Sequence, residues 1–99
     1  MIKELEIFKW SNPAEVLKKA EKYLGKDVVL AISTRKDKKY MVKNPAGKWV
    51  HFGQMGYEDY TKHKNKQQRM NYLNRATNIR GEWKDEKYSP NNLSINILW

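Results

Sequence analysis

Apolar residues change their spacing several times along the chain, and each change marks an element. Residues 2 to 10 scatter Ile2, Leu5, Ile7, Phe8 and Trp10 among charges in imperfect alternation, which predicts a short strand. The spacing then becomes helical: Val16, Leu17, Ala20, Tyr23 and Leu24 fall on one face. Asn12 is placed to cap that helix, Pro13 suits its first position, Glu15 occupies the capping-box position, and Gly25 stops it.

The next pattern is that of a sheet. Asp27 to Thr34 is a β-rich apolar run expected as a central strand, and Arg35 to Lys38 is a polar turn. Lys39 to Lys43 sets Tyr40 and Val42 against Lys39, Met41 and Lys43, the alternation of a half-buried strand. Asn44-Pro45-Ala46-Gly47 has turn chemistry, and Lys48 to Phe52 returns with Trp49 and His51 on one face and Val50 and Phe52 on the other. Gly53 and Gly56 bracket Gln54-Met55, which suggests positive φ or close approach by another group.

Helical spacing returns in the second half. Asp59 can cap a turn over Tyr60, Thr61 and Lys62, and Asn65 reads as the N-cap of a helix from Lys66 to about Asn78. Met70, Leu73 and Thr77 give that helix a narrow apolar face joined by Tyr72 and Ala76, while Lys66, Arg69 and Arg75 project more freely. Ser89 and Pro90 start a last short helix with Leu93, Ile97 and Leu98 on its apolar face, and Trp99 is expected to be packed. The reading is one α+β domain over residues 1–99. It has a three- to four-stranded antiparallel meander, an N-terminal amphipathic helix and C-terminal helices.

Charge changes the picture from fold to partner. The net charge is +9, and residues 31 to 80 carry twelve Lys/Arg against three acids, while the two ends are near neutral. Such an excess suits a polyanion, usually nucleic acid. Cysteine is absent, so the domain is expected to hold by packing alone. No apolar run has the length of a signal-peptide core or a membrane span, so a soluble protein with no membrane partner is expected.

Reaction chemistry is sparse. His51 and His63, with Glu58 and Asp59 between them, form a possible polar site, open as a metal or hydrolase centre, or with His51 a rim or packing residue and His63 a partner of Asp59 or a hydrogen-bond donor to phosphate. Their spacing matches no established ligand motif, so neither a metal nor a cofactor is called for, and no catalytic residue is assigned. The basic-aromatic arrangement is the stronger signal. Lys62, Lys64, Lys66, Arg69, Arg75 and Arg80 lie in one loop-helix stretch with Tyr60 and Tyr72, and Trp83 follows. The cations would neutralise phosphates, and exposed tyrosines would stack on unpaired bases; the plain alternative for the aromatics is core packing.

The pattern FGxxGYxDYTxHKxxxxRxxYLxR runs from Phe52 to Arg75 and is followed by Trp83 and a closing Leu98-Trp99. It resembles a family of small uncharacterised proteins of large eukaryotic DNA viruses, virophages and polinton-like viruses. The resemblance implies a viral protein of the virion or of the host cytoplasm or nucleus where the virus replicates, not a secreted one. It carries no activity. Taken together, the expectation is a non-enzymatic small basic protein bound to nucleic acid, DNA ahead of RNA. A minor capsid or assembly protein bound to viral capsid proteins is the alternative, and a small metal-dependent nuclease or hydrolase is the third.

Overall fold

The computed structural model describes residues 3–99, so Ile2, the first residue of the expected N-terminal strand, lies outside them. From Lys3 onward that segment is helical instead: α1 (Lys3–Glu6) runs into a 3-10 turn at Ile7–Lys9. The physical reason is that it has one apolar anchor rather than an apolar face. Ile7 is fully buried, whereas Leu5 and Phe8 remain 64% and 56% exposed. Its backbone bonds are local, with Trp10 N and Ser11 N both donating to Ile7 O.

α2 (Pro13–Leu24) follows with the expected cap. The Asn12 side chain accepts from Glu15 N, Pro13 opens the helix, and Gly25 N donates to Glu21 O at 2.8 Å. Val16 and Ala20 form its buried stripe.

The sheet is an antiparallel meander of β1 (Leu30–Ile32), β2 (Lys38–Lys43) and β3 (Trp49–Gln54), in the order β1-β2-β3. The apolar run containing Leu30 is therefore an edge strand of three residues, not the central one; β2 holds the centre. Leu30 pairs with Val42 and Ile32 with Tyr40, while Tyr40 faces Phe52 and Val42 faces Val50 across the other ladder. One face of these pairs is the core. β2 also departs from half-burial: Lys39, Tyr40, Met41 and Val42 are all buried, so both of its faces are covered.

After β3 come α3 (Tyr60–His63), α4 (Lys66–Thr77), a 3-10 turn at Trp83–Asp85, and α5 (Pro90–Leu93), which widens into a π-helical turn at Ser94–Leu98. Asn65 and Ser89 cap α4 and α5 by accepting from Gln68 N and Asn92 N. The core joins Tyr40, Val42 and Phe52 of the sheet to Ile7, to Val16 and Ala20 of α2, and to Leu93, Ile97 and Leu98 of the C-terminal helix. Apolar burial of this kind, at about 25 cal/mol per Å² removed from water, is the main stabilising term. Tyr40 brings its hydroxyl into the core and donates it to Ser11 Oγ at 2.8 Å.

α4 packs with only part of the face its apolar residues suggest. Met70 is 57% exposed and Thr77 is exposed too, while Ala76 is buried and Tyr72 and Leu73 are half-buried. The small Ala76 permits close approach to α5, where Asn91 Nδ2 donates to Ala76 O at 3.0 Å.

Candidate functional site

The site region is built from the chain that leaves β3. Gly53 has φ +82°, and a Cβ there would lie 2.8 Å from Leu98 Cδ1 and 3.1 Å from Lys39 Cβ. Only glycine leaves room for both neighbours at that backbone angle. Gly56, φ +90°, then turns the chain toward Asp59, whose N–H donates to Trp10 O at 3.0 Å.

Asp59 is fully buried and organises the segment. One carboxylate oxygen pairs with Lys39 Nζ at 3.1 Å. The other accepts from Thr61 N at 3.0 Å and from the Thr61 hydroxyl, which caps α3. Lys39 Nζ also donates to Tyr57 O at 2.6 Å and to Trp10 O at 3.2 Å. Burial pulls the Lys39 ammonium below the usual lysine range, and Asp59 opposes that pull. Thr61 Oγ1 accepts from Asn12 N at 3.0 Å and lies 3.2 Å from Ser11 Oγ, so the network extends to Tyr40. With its charge met and its lone pairs engaged, the Asp59 carboxylate is committed to holding the fold.

The other members of the possible polar site lie elsewhere. His51 is on β3, its Nδ1 2.6 Å from Ser33 Oγ, and burial, reinforced by Arg35 and Lys3, holds its pKa low. His63 accepts from Asn65 N at 2.9 Å through Nδ1; its partner is this amide and not Asp59. Glu58 is exposed. Among the described residues, no group of three or more His, Asp or Glu side chains is close enough to share a metal ion.

An aromatic row runs from α3 to α4. The Tyr60 and His63 rings meet edge-on at 6.0 Å, His63 lies 5.2 Å from Trp99, and Trp99 stacks on Tyr72 at 4.2 Å with the planes 10° apart. Trp99 is thus packed, as its size suggests. His63 Nε2 is buried here without a hydrogen-bond partner. Tyr60 and Tyr72, the two tyrosines expected to stack on bases, are engaged within the chain: Lys64 Nζ and Arg69 Cζ lie 5.5 and 5.4 Å from the Tyr60 ring centre.

The six cations singled out from the sequence divide into separate groups. Lys64 forms an ion pair with Glu15 of α2 and holds the left-handed φ of 54° between α3 and α4. Arg69 lies over Tyr60 and donates Nε to Trp99 O at 2.7 Å, so it braces the aromatic row rather than projecting freely. Lys62, Lys66, Arg75 and Arg80 are exposed. At 3.6 residues per turn, Lys66 and Arg75 are roughly 180° apart around α4. Lys19 of α2 joins the Lys64–Arg69 group: partial burial lowers its pKa, and the charges of Arg69 and Lys64 add to the shift while Glu15 opposes it. Nothing in the spacing of α2 points to Lys19, because the grouping depends on how α2 meets α3 and α4.

Beside the aromatic row lies a groove of about 1190 Å³. Its base includes the buried Phe52, Lys39, Ser94 and Leu98. Its lining also includes the aromatic residues Trp10, Tyr57, Tyr72, Trp83 and Trp99, of which Tyr57 is the most open at 68% exposure. Lys38 and Arg75 bring charge, Glu58 is the one acid, and Gln54, Gln68, Asn71 and Asn91 bring amides. Of the nucleic-acid-binding residues expected from the sequence, only Tyr72 and Arg75 line it. Trp10, Tyr57 and Lys38 were missed because the groove draws on five separate stretches of chain; only the motif FGxxGY hinted at Tyr57.

Residues 28–76 match the model of DUF5754, a family of unknown function. No curated protein matches the chain. No solved structure matches it. The matched segment spans the sheet, the buried Lys39–Asp59 pair and α4 as far as Ala76.

Proposed function

We propose that the chain is a non-enzymatic, small basic protein that binds nucleic acid, DNA ahead of RNA, in association with a viral genome or virion. One observation carries this reading. Of the twelve Lys and Arg between residues 31 and 80, only Lys39 and Lys64 lie within 4.0 Å of an Asp or Glu carboxylate among the described residues. Arg69 is held by Tyr60 and Trp99 O and Lys38 is half-buried, but the other eight are exposed, where they neutralise phosphates and release their counterions. The resemblance of residues 52 to 75 to the viral family supports the viral setting.

The test is direct binding of the chain to one fluorescent oligonucleotide made as DNA and as RNA, at low salt. Binding to DNA at least as tight as to RNA is expected. Binding to neither overturns the proposal.

A second reading, a minor capsid or assembly protein, is favoured by the exposure of Leu5 and Phe8 on neighbouring turns at 64% and 56%. Apolar side chains there would act as anchors on a protein partner. A complex with a capsid protein that persists in high salt supports that reading over the first.

A further inference from the structure

We infer that the groove between β3, α4 and α5 is a seat for unpaired bases, so that the protein prefers single strands to duplex. This rests on the nucleic-acid reading above and assigns its substrate class. Exposed cations alone recognise phosphates and do not tell paired bases from unpaired ones; the groove adds what a backbone contact lacks. Its lining includes the aromatic residues Trp10, Tyr57 and Trp83, and Tyr57 is 68% exposed. Every base has a π-face, so aromatic platforms of this kind bind unpaired bases with little regard to sequence.

The amides of Gln54 and Gln68 stand at the exposed edges, where the hydrogen-bonding edge of a base would lie. Lys38 and Arg75 outnumber Glu58 in the lining, with the Lys39 charge already met by Asp59 from behind, so the local field suits phosphate. The volume of about 1190 Å³ exceeds the roughly 300–1,000 Å³ of ordinary small-molecule sites, room for more than one nucleoside. A duplex cannot use it, because its bases are paired and stacked on one another.

The test compares wild type, Tyr57→Ala, Tyr57→Phe and Trp49→Ala for binding to a single-stranded DNA oligonucleotide and to the same sequence as duplex, with thermal melts confirming folding. Tyr57 is chosen because its side chain is largely solvent-exposed. Trp49 is an exposed aromatic of β3 that does not line the groove.

Tyr57→Ala should weaken single-strand binding by about five- to 100-fold and leave duplex binding within about twofold. Tyr57→Phe should retain binding, and Trp49→Ala should behave as wild type. Equal loss on both substrates, or no loss on either, overturns the inference. If duplex and single strand bind alike and the Tyr57 variants change neither, the groove assignment fails while nucleic-acid binding stands. If neither substrate binds, both fail.

Discussion

Lys39 and Asp59 form a salt bridge of 3.1 Å in which the two side chains are only 3% and 1% exposed. A lysine on β2 and an aspartate in the segment after β3 are thereby fixed together beneath the groove. Removing one partner from such a pair strands a buried charge and costs about 3–5 kcal/mol, whereas an exposed pair is worth under about 1 kcal/mol. Urea unfolding of Lys39→Met should show a loss in the larger range. The double variant Lys39→Met/Asp59→Asn should recover part of it, because Asn still caps α3 and leaves no charge uncompensated. A single-variant loss below about 1 kcal/mol would contradict this account of the pair.

Gly53 and Gly47 have nearly the same φ, +82° and +81°, yet a Cβ would meet Leu98 and Lys39 at Gly53 and open space at Gly47. Gly47→Ala should cost about 1–2 kcal/mol from backbone strain. Gly53→Ala should cost a further ~1–3 kcal/mol, since Leu98 and Lys39 must shift to make room. Equal losses in chemical denaturation would show that the close approach is not a constraint.

Stability should fall in alkali. Burial raises the pKa of Tyr40 well above the usual value of 10.0, its hydrogen bond to Ser11 opposes the rise, and Asp59 adds to it. The unfolded chain ionises this hydroxyl near pH 10 while the folded chain keeps its proton. The contribution is therefore complete below pH 10 and is lost as pH climbs beyond it. Tyr72 and Tyr23, also raised by burial, act the same way. Lys39, lowered by burial, acts oppositely, adding stability as pH rises toward 10.5 and nothing further above it. Denaturation measured above pH 10.5 should show wild type losing up to about 1.4 kcal/mol per pH unit more than Tyr40→Phe. Parallel curves for the two proteins would refute the role given to Tyr40.

Surface charge should act by place. Reversing Lys62, Lys66 and Arg80 to Glu should weaken DNA binding and flatten its salt dependence more than reversing Lys18 and Lys22. Lys19 is unsuitable as a control because it lies in the field of Arg69 and Lys64. Arg69 is unsuitable as a test because it braces Tyr60 and Trp99. Equal losses from the two sets, read by fluorescence anisotropy, would mean that net charge alone accounts for binding.

The features legible in the sequence were the local ones. Asn12, Asn65 and Ser89 each cap a helix within three residues of themselves, and turn chemistry at 44–47 joins β2 to β3. What distant partners decide was not legible. Alternation along β2 put Lys39 on the solvent side, but Asp59, twenty residues on, draws it into the interior. The expected face of α4 held Met70, Tyr72, Leu73, Ala76 and Thr77 alike, and it is the position of Trp99 that draws in Tyr72 and leaves Met70 and Thr77 exposed. The groove is the extreme case, since its aromatics come from Trp10 to Trp99 and share no spacing at all.

The central claim is that unpaired surface cations bind the phosphates of nucleic acid, and the salt dependence of affinity for DNA reads this most directly. A plot of log K against log salt between about 50 and 200 mM should be a straight falling line, with a slope of about −0.7 per phosphate contacted on single strands and about −0.9 on duplex. Affinity that is absent at low salt, or unchanged across that range, would contradict the claim.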